Sequence, residues 1–168
     1  NTIEFVIVFP IFFGFFLMSV ESGLIAVRHV MLERGVDITV REVRLGNIAN
    51  PTRQQLRESV CEVAGVIPDC LNRIEIEMTR MDPTVQSDWD NYDPFAECVD
   101  LGNMGSSTAV IDPVANNQLM IIRTCARINP FLPTSILGKA IIRENNNSEA
   151  EGTYALISMA AFVVEPFL

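Results

Sequence analysis

Residues 1–27 read NTIEFVIVFPIFFGFFLMSVESGLIAV, and this stretch is apolar over most of its length. From position 5 to position 27 the only charged side chain is that of Glu21. A helix of that length extends about 35 Å, and the hydrocarbon core of a bilayer is about 30 Å thick. We therefore predict a membrane span at 5–27.

The residues within and after the span favour a membrane helix that continues beyond the bilayer. Pro10 and Gly14 would weaken a soluble helix, whereas a membrane helix tolerates them because neighbouring groups satisfy the freed carbonyls. Further apolar residues recur at helical spacing, at Ile25, Leu32, Val36, Val40 and Val43. We predict an N-terminal hydrophobic helix at 1–46; the β-branched stretch 37–43 would also suit a strand.

The rest of the chain, 47–168, is expected to form a small α+β head. Asn50 followed by Pro51 is typical of a helix start and predicts a second helix at 51–64. Strict alternation of apolar and polar residues predicts a strand at 71–81. Further elements are expected as a strand at 118–128, a short helix at 131–142 and a strand at 153–164. Together these elements predict a roughly three-stranded antiparallel sheet.

Four charged residues suggest how the first two strands pair. In an antiparallel arrangement, Arg123 and Arg127 of the second strand are placed to face Glu75 and Glu77 of the first. Opposite charges in facing positions stabilise a strand pair. We therefore expect these side chains to form ion pairs across the sheet.

The charge distribution argues against a nucleic-acid partner. The chain has a net charge of −9. Its middle part, 61–110, holds 10 acidic residues and only 2 basic ones. Phosphate groups would be repelled by such a surface.

No set of residues predicts an enzyme or a cofactor site. The single histidine, His29, follows the span, where an interfacial position explains it better than general-base catalysis. The acidic run DWDNYD places Asp88, Asp90 and Asp93 close together, and carboxylates at such density are weak candidates for calcium ligands. The run departs from an EF-hand loop, however, so we expect a solvated, metal-free loop.

The four cysteines predict disulfides better than a metal site. Cys61, Cys70, Cys98 and Cys125 form no CxxC pair, which argues against zinc. Disulfides in an oxidising compartment agree with a membrane-inserted N-terminus and an extracytoplasmic head, although four buried thiols remain the alternative. As a hypothesis we pair Cys61 with Cys70 and Cys98 with Cys125, one of three possible connectivities.

The two acidic residues at the N-terminus require different explanations. Glu4 lies where a helix begins, and the helix dipole favours a negative charge there by about 0.3–1 kcal/mol. Glu21 would lie inside the predicted span, where an acidic residue indicates a partner by default.

The N-terminus resembles that of the TadE/TadF-like minor pilins, or pseudopilins, of tight-adherence pili, which are type IV pilin-like. The residues that carry the resemblance are the pair Glu4-Phe5, Pro10 within the apolar run, and Glu21-Ser22-Gly23 near its end. The resemblance covers about the first 30 residues. In this family the glutamate is usually the fifth mature residue, and here it is the fourth. Either one residue precedes Asn1 or the cut lies one residue later.

The resemblance implies a non-enzymatic subunit that is processed by a prepilin peptidase and inserted in the membrane before assembly. Its partners would be other pilin or pseudopilin subunits, contacted through the N-terminal helix. Glu4 would meet the free N-terminal amine of a neighbouring subunit. Glu21 would lie where subunit helices bundle, paired with Arg28 of this or another chain. The implied location is the bacterial inner membrane with the head in the periplasm, or the extracellular filament after assembly.

The charges around the predicted span give conflicting indications of its orientation. Arginines follow the span, and the positive-inside rule alone would place them in the cytoplasm, against the cysteines. A basic leader ahead of Asn1 would reconcile the two.

The alternative function is a signal-anchored extracytoplasmic binding domain whose acidic loop, 82–100, holds calcium or another ligand.

Overall fold

The computed structural model of this 168-residue chain describes residues 2–48, 50–90, 92, 96–99, 109–114, 117–133, 136–144 and 152–165. The helices are α1 (Thr2–Arg44), α2 (Arg53–Val63), α3 (Cys70–Arg73), α4 (Gln86–Asp90) and α5 (Ile136–Glu144), and the strands are β1 (Ile74–Met81), β2 (Leu119–Ile128) and β3 (Tyr154–Val163). The α+β class predicted from the sequence is confirmed, with a long N-terminal apolar helix, a second helix and a three-stranded antiparallel sheet.

Helix α1 is one uninterrupted helix of 43 residues that includes Pro10. The stretch 37–43, which would also have suited a strand, is helical throughout. Arg41 and Arg44 lie in the last turn, where the helix dipole favours positive charge. The chain leaves the helix through Gly46, whose φ of 77° is in the left-handed region that glycine adopts without strain.

The second helix begins two residues later than predicted. We expected Asn50 as the cap and Pro51 in the first turn, but the cap is Thr52. The Thr52 hydroxyl accepts from the Gln55 backbone N–H at 3.3 Å, and the Gln55 side chain accepts from the Thr52 N–H at 3.0 Å. This reciprocal capping box satisfies two backbone donors, and Asn50 cannot form it because the chain has no acceptor three residues after it.

The sheet has the order β1-β2-β3, with both pairs antiparallel. β1 begins at Ile74 rather than at the predicted position 71, because residues 70–73 form the turn of helix α3. One face of the sheet and the second half of α1 enclose the core together with α2. The fully buried core side chains include Leu32, Val36, Leu56, Val60, Ile76, Met78 and Ile122.

Helix α1 and strand β3 run in the same direction. Near the start of β3, the Tyr154 hydroxyl accepts from Arg28 at 3.3 Å. Beyond its end, Glu165 pairs with Arg44 at 2.8 Å. The head therefore has an end near the first half of α1, which we call the span-proximal end, and an opposite, distal end. β2 finishes and β3 starts at the span-proximal end.

Helices α1 and α2 approach each other closely at Gly35. A Cβ atom added there would lie 2.8 Å from the Val60 carbonyl oxygen and 3.2 Å from Val60 Cγ1. One turn later, the Thr39 hydroxyl donates to the Gly35 carbonyl at 2.9 Å and lies 2.9 Å from the Ser59 hydroxyl. The crossing is thus too tight for any side chain at position 35.

We expect Gly35→Ala to destabilise the head, because the added methyl group meets backbone that cannot rotate away. Overpacking of this kind costs about 1–3 kcal/mol. Gly23→Ala is the matched control, since it lies on the same helix and its Cβ would meet nothing within 4 Å. Chemical unfolding of both variants in detergent measures the difference. Equal midpoints for the two variants would contradict the tight crossing.

Candidate functional site

The first half of α1 is not covered by the rest of the chain. Thr2–Val20, which we call the uncovered segment, contains no buried residue, and the first buried residue of the helix is Glu21. The helix is long and apolar enough to cross a membrane. Nineteen helical residues extend about 28 Å, which matches a hydrocarbon core of about 30 Å.

One face of the uncovered segment carries a row of stacked aromatic rings. The ring centroids of Phe5 and Phe9 are 5.2 Å apart, those of Phe9 and Phe13 are 5.8 Å apart, and those of Phe13 and Phe16 are 6.4 Å apart. All four side chains are exposed. We call this row the phenylalanine ladder. A contiguous apolar surface of this size must be covered by lipid or by other helices, because water solvates it poorly.

The other residues proposed for assembly also lie on α1, at different levels. Glu4 is in the first turn of the helix. Phe5 begins the phenylalanine ladder, and Pro10 lies within the uncovered segment. Gly23 follows Glu21 and faces open space, since a Cβ there would meet nothing within 4 Å. The structure therefore places Glu4 and Glu21 at opposite ends of the uncovered segment.

Glu21 differs in its surroundings from the prediction. Its side chain is 1% exposed, and its Oε1 accepts from the Leu132 backbone N–H at 3.3 Å. The chain itself buries this carboxylate, by a loop of the head. Arg28, the partner proposed from the sequence, instead directs one guanidinium nitrogen to the Tyr154 hydroxyl at 3.3 Å and to the Asn129 carbonyl at 3.5 Å.

This contact overlaps the last part of the predicted span. The sequence indicated 5–27, but the head contacts α1 from Glu21 onwards, and Ile25 packs against the head core. A bilayer that reached position 27 would have to enclose part of the head. The head thus leaves the segment Thr2–Val20 uncovered, and Glu21 marks the boundary between this segment and the head.

The predicted ion pairs of the sheet are present in part. Glu77 lies opposite Arg123 in the register and pairs with it, and the Tyr92 ring lies 5.1 Å from the Arg123 guanidinium carbon. Glu75 lies opposite Cys125 rather than an arginine, and its carboxylate is 3.4 Å from Nε of Arg53 in α2. The expectation for Glu75 was wrong because the antiparallel register places it between the two arginines of β2.

The structure contains two disulfides, which join Cys61 to Cys70 and Cys98 to Cys125. These are the pairs hypothesised from the sequence. The first links α2 to α3. The second holds segment 96–99 against the centre of β2, on the sheet face that carries Arg123. Cross-links that close loops of about 10 and 28 residues stabilise the fold by about 3 kcal/mol each, mainly through the unfolded state.

The acidic residues after β1 are engaged in local hydrogen bonds. Asp88 accepts from the Asp82 N–H at 3.0 Å, and Asp90 accepts from Gln86 at 3.2 Å. Side-chain and backbone hydrogen bonds from Thr84 lower the pKa of the Asp82 carboxyl. Among the described residues no group of three potential ligands could hold a metal ion. Asp93, the third calcium candidate, lies outside the described residues.

We expect calorimetric titration of the full chain in detergent with calcium to show no saturable heat. The reason is that Asp82, Asp88 and Asp90 act as acceptors for their own loop. Asp90→Asn serves as the comparison, because it removes one carboxylate charge while retaining an oxygen acceptor. A micromolar site that this substitution abolishes would contradict the expectation and favour a ligand-binding function.

Strand β3 exposes an apolar strip that the sequence prediction did not single out. Its alternate residues face the core, and the intervening Ile157, Met159 and Val163 are largely exposed. The signal was present in the sequence, because the run TYALISMAAFVV lacks the polar alternation of a half-solvated strand. An exposed apolar strip of this kind is typical of a surface that another molecule covers.

Comparison of the chain with protein-family models, with curated proteins and with solved structures finds no significant match.

Proposed function

We propose that the chain is a minor pilin or pseudopilin, TadE/TadF-like, that takes part in the assembly, priming or tip of a tight-adherence type IV-like pilus. The observation that carries the proposal is the division of a single helix into two halves. Its first half is apolar and uncovered, and its second half forms part of the head core. We call the uncovered segment, Thr2–Val20, the stem. A subunit whose stem must pack among the stems of other subunits, while its head stays outside the bundle, requires this division.

The rigid junction between stem and head supports a pilin better than a simple anchor. An anchored binding domain needs only a flexible linker between its span and its head. Here α1 continues without a break, and the head contacts it through hydrogen bonds at Glu21 and Arg28 and an ion pair at Arg44. The position of the stem thereby fixes the position of the head, which is what a helical assembly of identical contacts requires.

The proposed role of Glu4 follows from its place at the start of the stem. Its carboxylate would pair with the N-terminal amine of a neighbouring subunit. In the low dielectric of a bundle or bilayer such a pair is stronger than in water. The phenylalanine ladder and Pro10 would supply the apolar contact surface between stems.

The proposed location is the bacterial inner membrane with the head in the periplasm, followed by the extracellular filament. Two disulfides favour an oxidising compartment for the head. Arg28 and Arg44 contact Tyr154 and Glu165 of the head, so these two basic residues belong to the folded head. Processing by a prepilin peptidase would free the amine that Glu4 of a neighbour requires.

The test replaces the surface of the stem and preserves its length. A variant with leucine at positions 2–20, except for Glu4, still spans a membrane but lacks the phenylalanine ladder. In cells that make the pilus, we expect it to be membrane-bound and disulfide-bonded yet absent from sheared filaments and from the envelope assembly complex. Wild-type chain in parallel should be found there. Equal incorporation of both would contradict the proposal and favour an anchored binding domain.

A further inference from the structure

The loop that follows β2 carries an exposed aromatic residue at the span-proximal end of the head. Residues 129–133 read NPFLP and connect β2 to the segment that leads into α5. Within this loop Phe131 is 62% exposed. Its ring is apolar, and its position next to the junction of head and stem distinguishes it from the exposed apolar residues of β3.

Hydrogen bonds on both sides of Phe131 fix the level of the loop. The Leu132 N–H donates to Glu21 at 3.3 Å. The Asn129 side-chain oxygen accepts from Arg73 at 2.9 Å, and its backbone carbonyl accepts from Arg28 at 3.5 Å. The loop is therefore held at Glu21, the residue at which the uncovered segment of α1 ends.

We propose that Phe131 inserts into the interfacial region of the lipid bilayer beside the stem. The inference rests on the membrane insertion that is part of the proposed function. If Thr2–Val20 fills the hydrocarbon core, then Glu21 lies at the boundary between acyl chains and headgroups. A loop bonded to Glu21 lies at the same level. Apolar side chains, including phenylalanine, bury favourably at the boundary between headgroups and acyl chains.

This contact would give the head a second attachment to the membrane. The stem alone fixes the depth of the head but allows the whole subunit to rotate about the helix axis. A ring inserted to one side of the stem defines which face of the head is turned to the lipid. Before assembly, β3 and the distal end would then keep a fixed orientation relative to the bilayer.

The experiment measures the depth of single indole groups in lipid vesicles. Wild-type chain has one tryptophan, Trp89, which follows β1 at the distal end and serves as the solvent control. Two variants carry Trp89→Phe with either Phe131→Trp or Phe12→Trp; position 12 is exposed and near the middle of the uncovered segment. Each protein is reconstituted at low density in phosphatidylcholine that is brominated either near the glycerol or near the chain ends.

We expect the indole at position 131 to lose emission with bromine near the glycerol and the indole at position 12 to lose it with bromine near the chain ends. Trp89 should be unaffected by both lipids. Quenching at position 12 without quenching at position 131 would overturn the inference and leave the proposed function intact. Absence of quenching at both would overturn the inference together with membrane insertion. An emission shift at position 131 that depends on protein density, without quenching, would overturn it in favour of a second copy.

Discussion

Glu4→Gln should leave the chain inserted and folded but absent from filaments. Glu4 lies in the first turn of α1, at the far end of the uncovered segment from the head, so the substitution should not disturb the head. Our hypothesis is that its carboxylate pairs with the N-terminal amine of a neighbouring subunit. Replacing it with an amide would leave that amine as a buried cation without its counter-charge.

The size of the effect separates assembly from a purely local role. Removal of one member of a buried ion pair costs about 3–5 kcal/mol. That loss lowers association by about 100- to 1000-fold or more. If Glu4 acted only on its own helix dipole, the substitution would cost at most about 1 kcal/mol. Immunoblots of sheared filaments and of the envelope assembly complex report which of the two applies.

Glu33→Gln is the matched control for this prediction. It makes the same change of charge on the same helix, but Glu33 is exposed beside the head and its nearest basic atom is His29 Nε2 at 3.7 Å. A surface pair of this kind contributes little. We expect Glu33→Gln to enter filaments at the level of the wild-type chain. Equal incorporation of Glu4→Gln would refute the role assigned to Glu4.

Glu77→Ala should be among the most destabilising single changes in the head. Its partner Arg123 is 4% exposed in the middle of β2. Removing the carboxylate takes away a charge-assisted hydrogen bond and leaves a buried guanidinium without this anion. Loss of one partner of a buried pair costs about 3–5 kcal/mol, a large fraction of the total stability of about 5–15 kcal/mol.

The measurement for Glu77→Ala is chemical unfolding of the full chain in detergent, followed by a head-specific signal such as Trp89 emission. Glu58→Ala is the control, since Glu58 is an exposed acidic residue that accepts from Gln54 one helical turn earlier. Such helix-surface contacts contribute about 0.2–0.5 kcal/mol. Similar midpoints for the two variants would show that the Glu77–Arg123 pair does not stabilise the head.

The elements of the fold were predictable where the signal is local. The long apolar run and its helical spacing predict α1, because composition and periodicity within one segment suffice. The alternation at 71–81 and the turn-free run at 118–128 predict β1 and β2 for the same reason. The cap at Thr52 was also predictable, because the TxxQ pattern is typical of a capping box. We placed the start of the helix two residues too early because Asn50-Pro51 is also typical of a helix start.

The surroundings of Glu21 were not predictable from the sequence. Its hydrogen-bond partner, Leu132, is 111 positions away along the chain and contributes only a backbone N–H. Every residue except proline has such a donor, so no side-chain type marks the partner. The same limit applies to Glu75, because its pairing with Arg53 depends on how α2 packs against β1. Contacts of this kind follow from tertiary packing.

We propose that the stems of neighbouring pilin-type subunits cover the phenylalanine ladder in the assembled state. Photo-crosslinking from Phe9 identifies the molecule that covers the ladder, because this ring is at the centre of two stacked contacts. A photoreactive phenylalanine derivative is placed at position 9, or at Trp89 as a control, in cells that make the pilus. We expect position 9 to form an adduct with the N-terminal segment of a pilin-type chain, identified by mass spectrometry, in filaments or the assembly complex. Adducts to lipid alone at position 9 would contradict it.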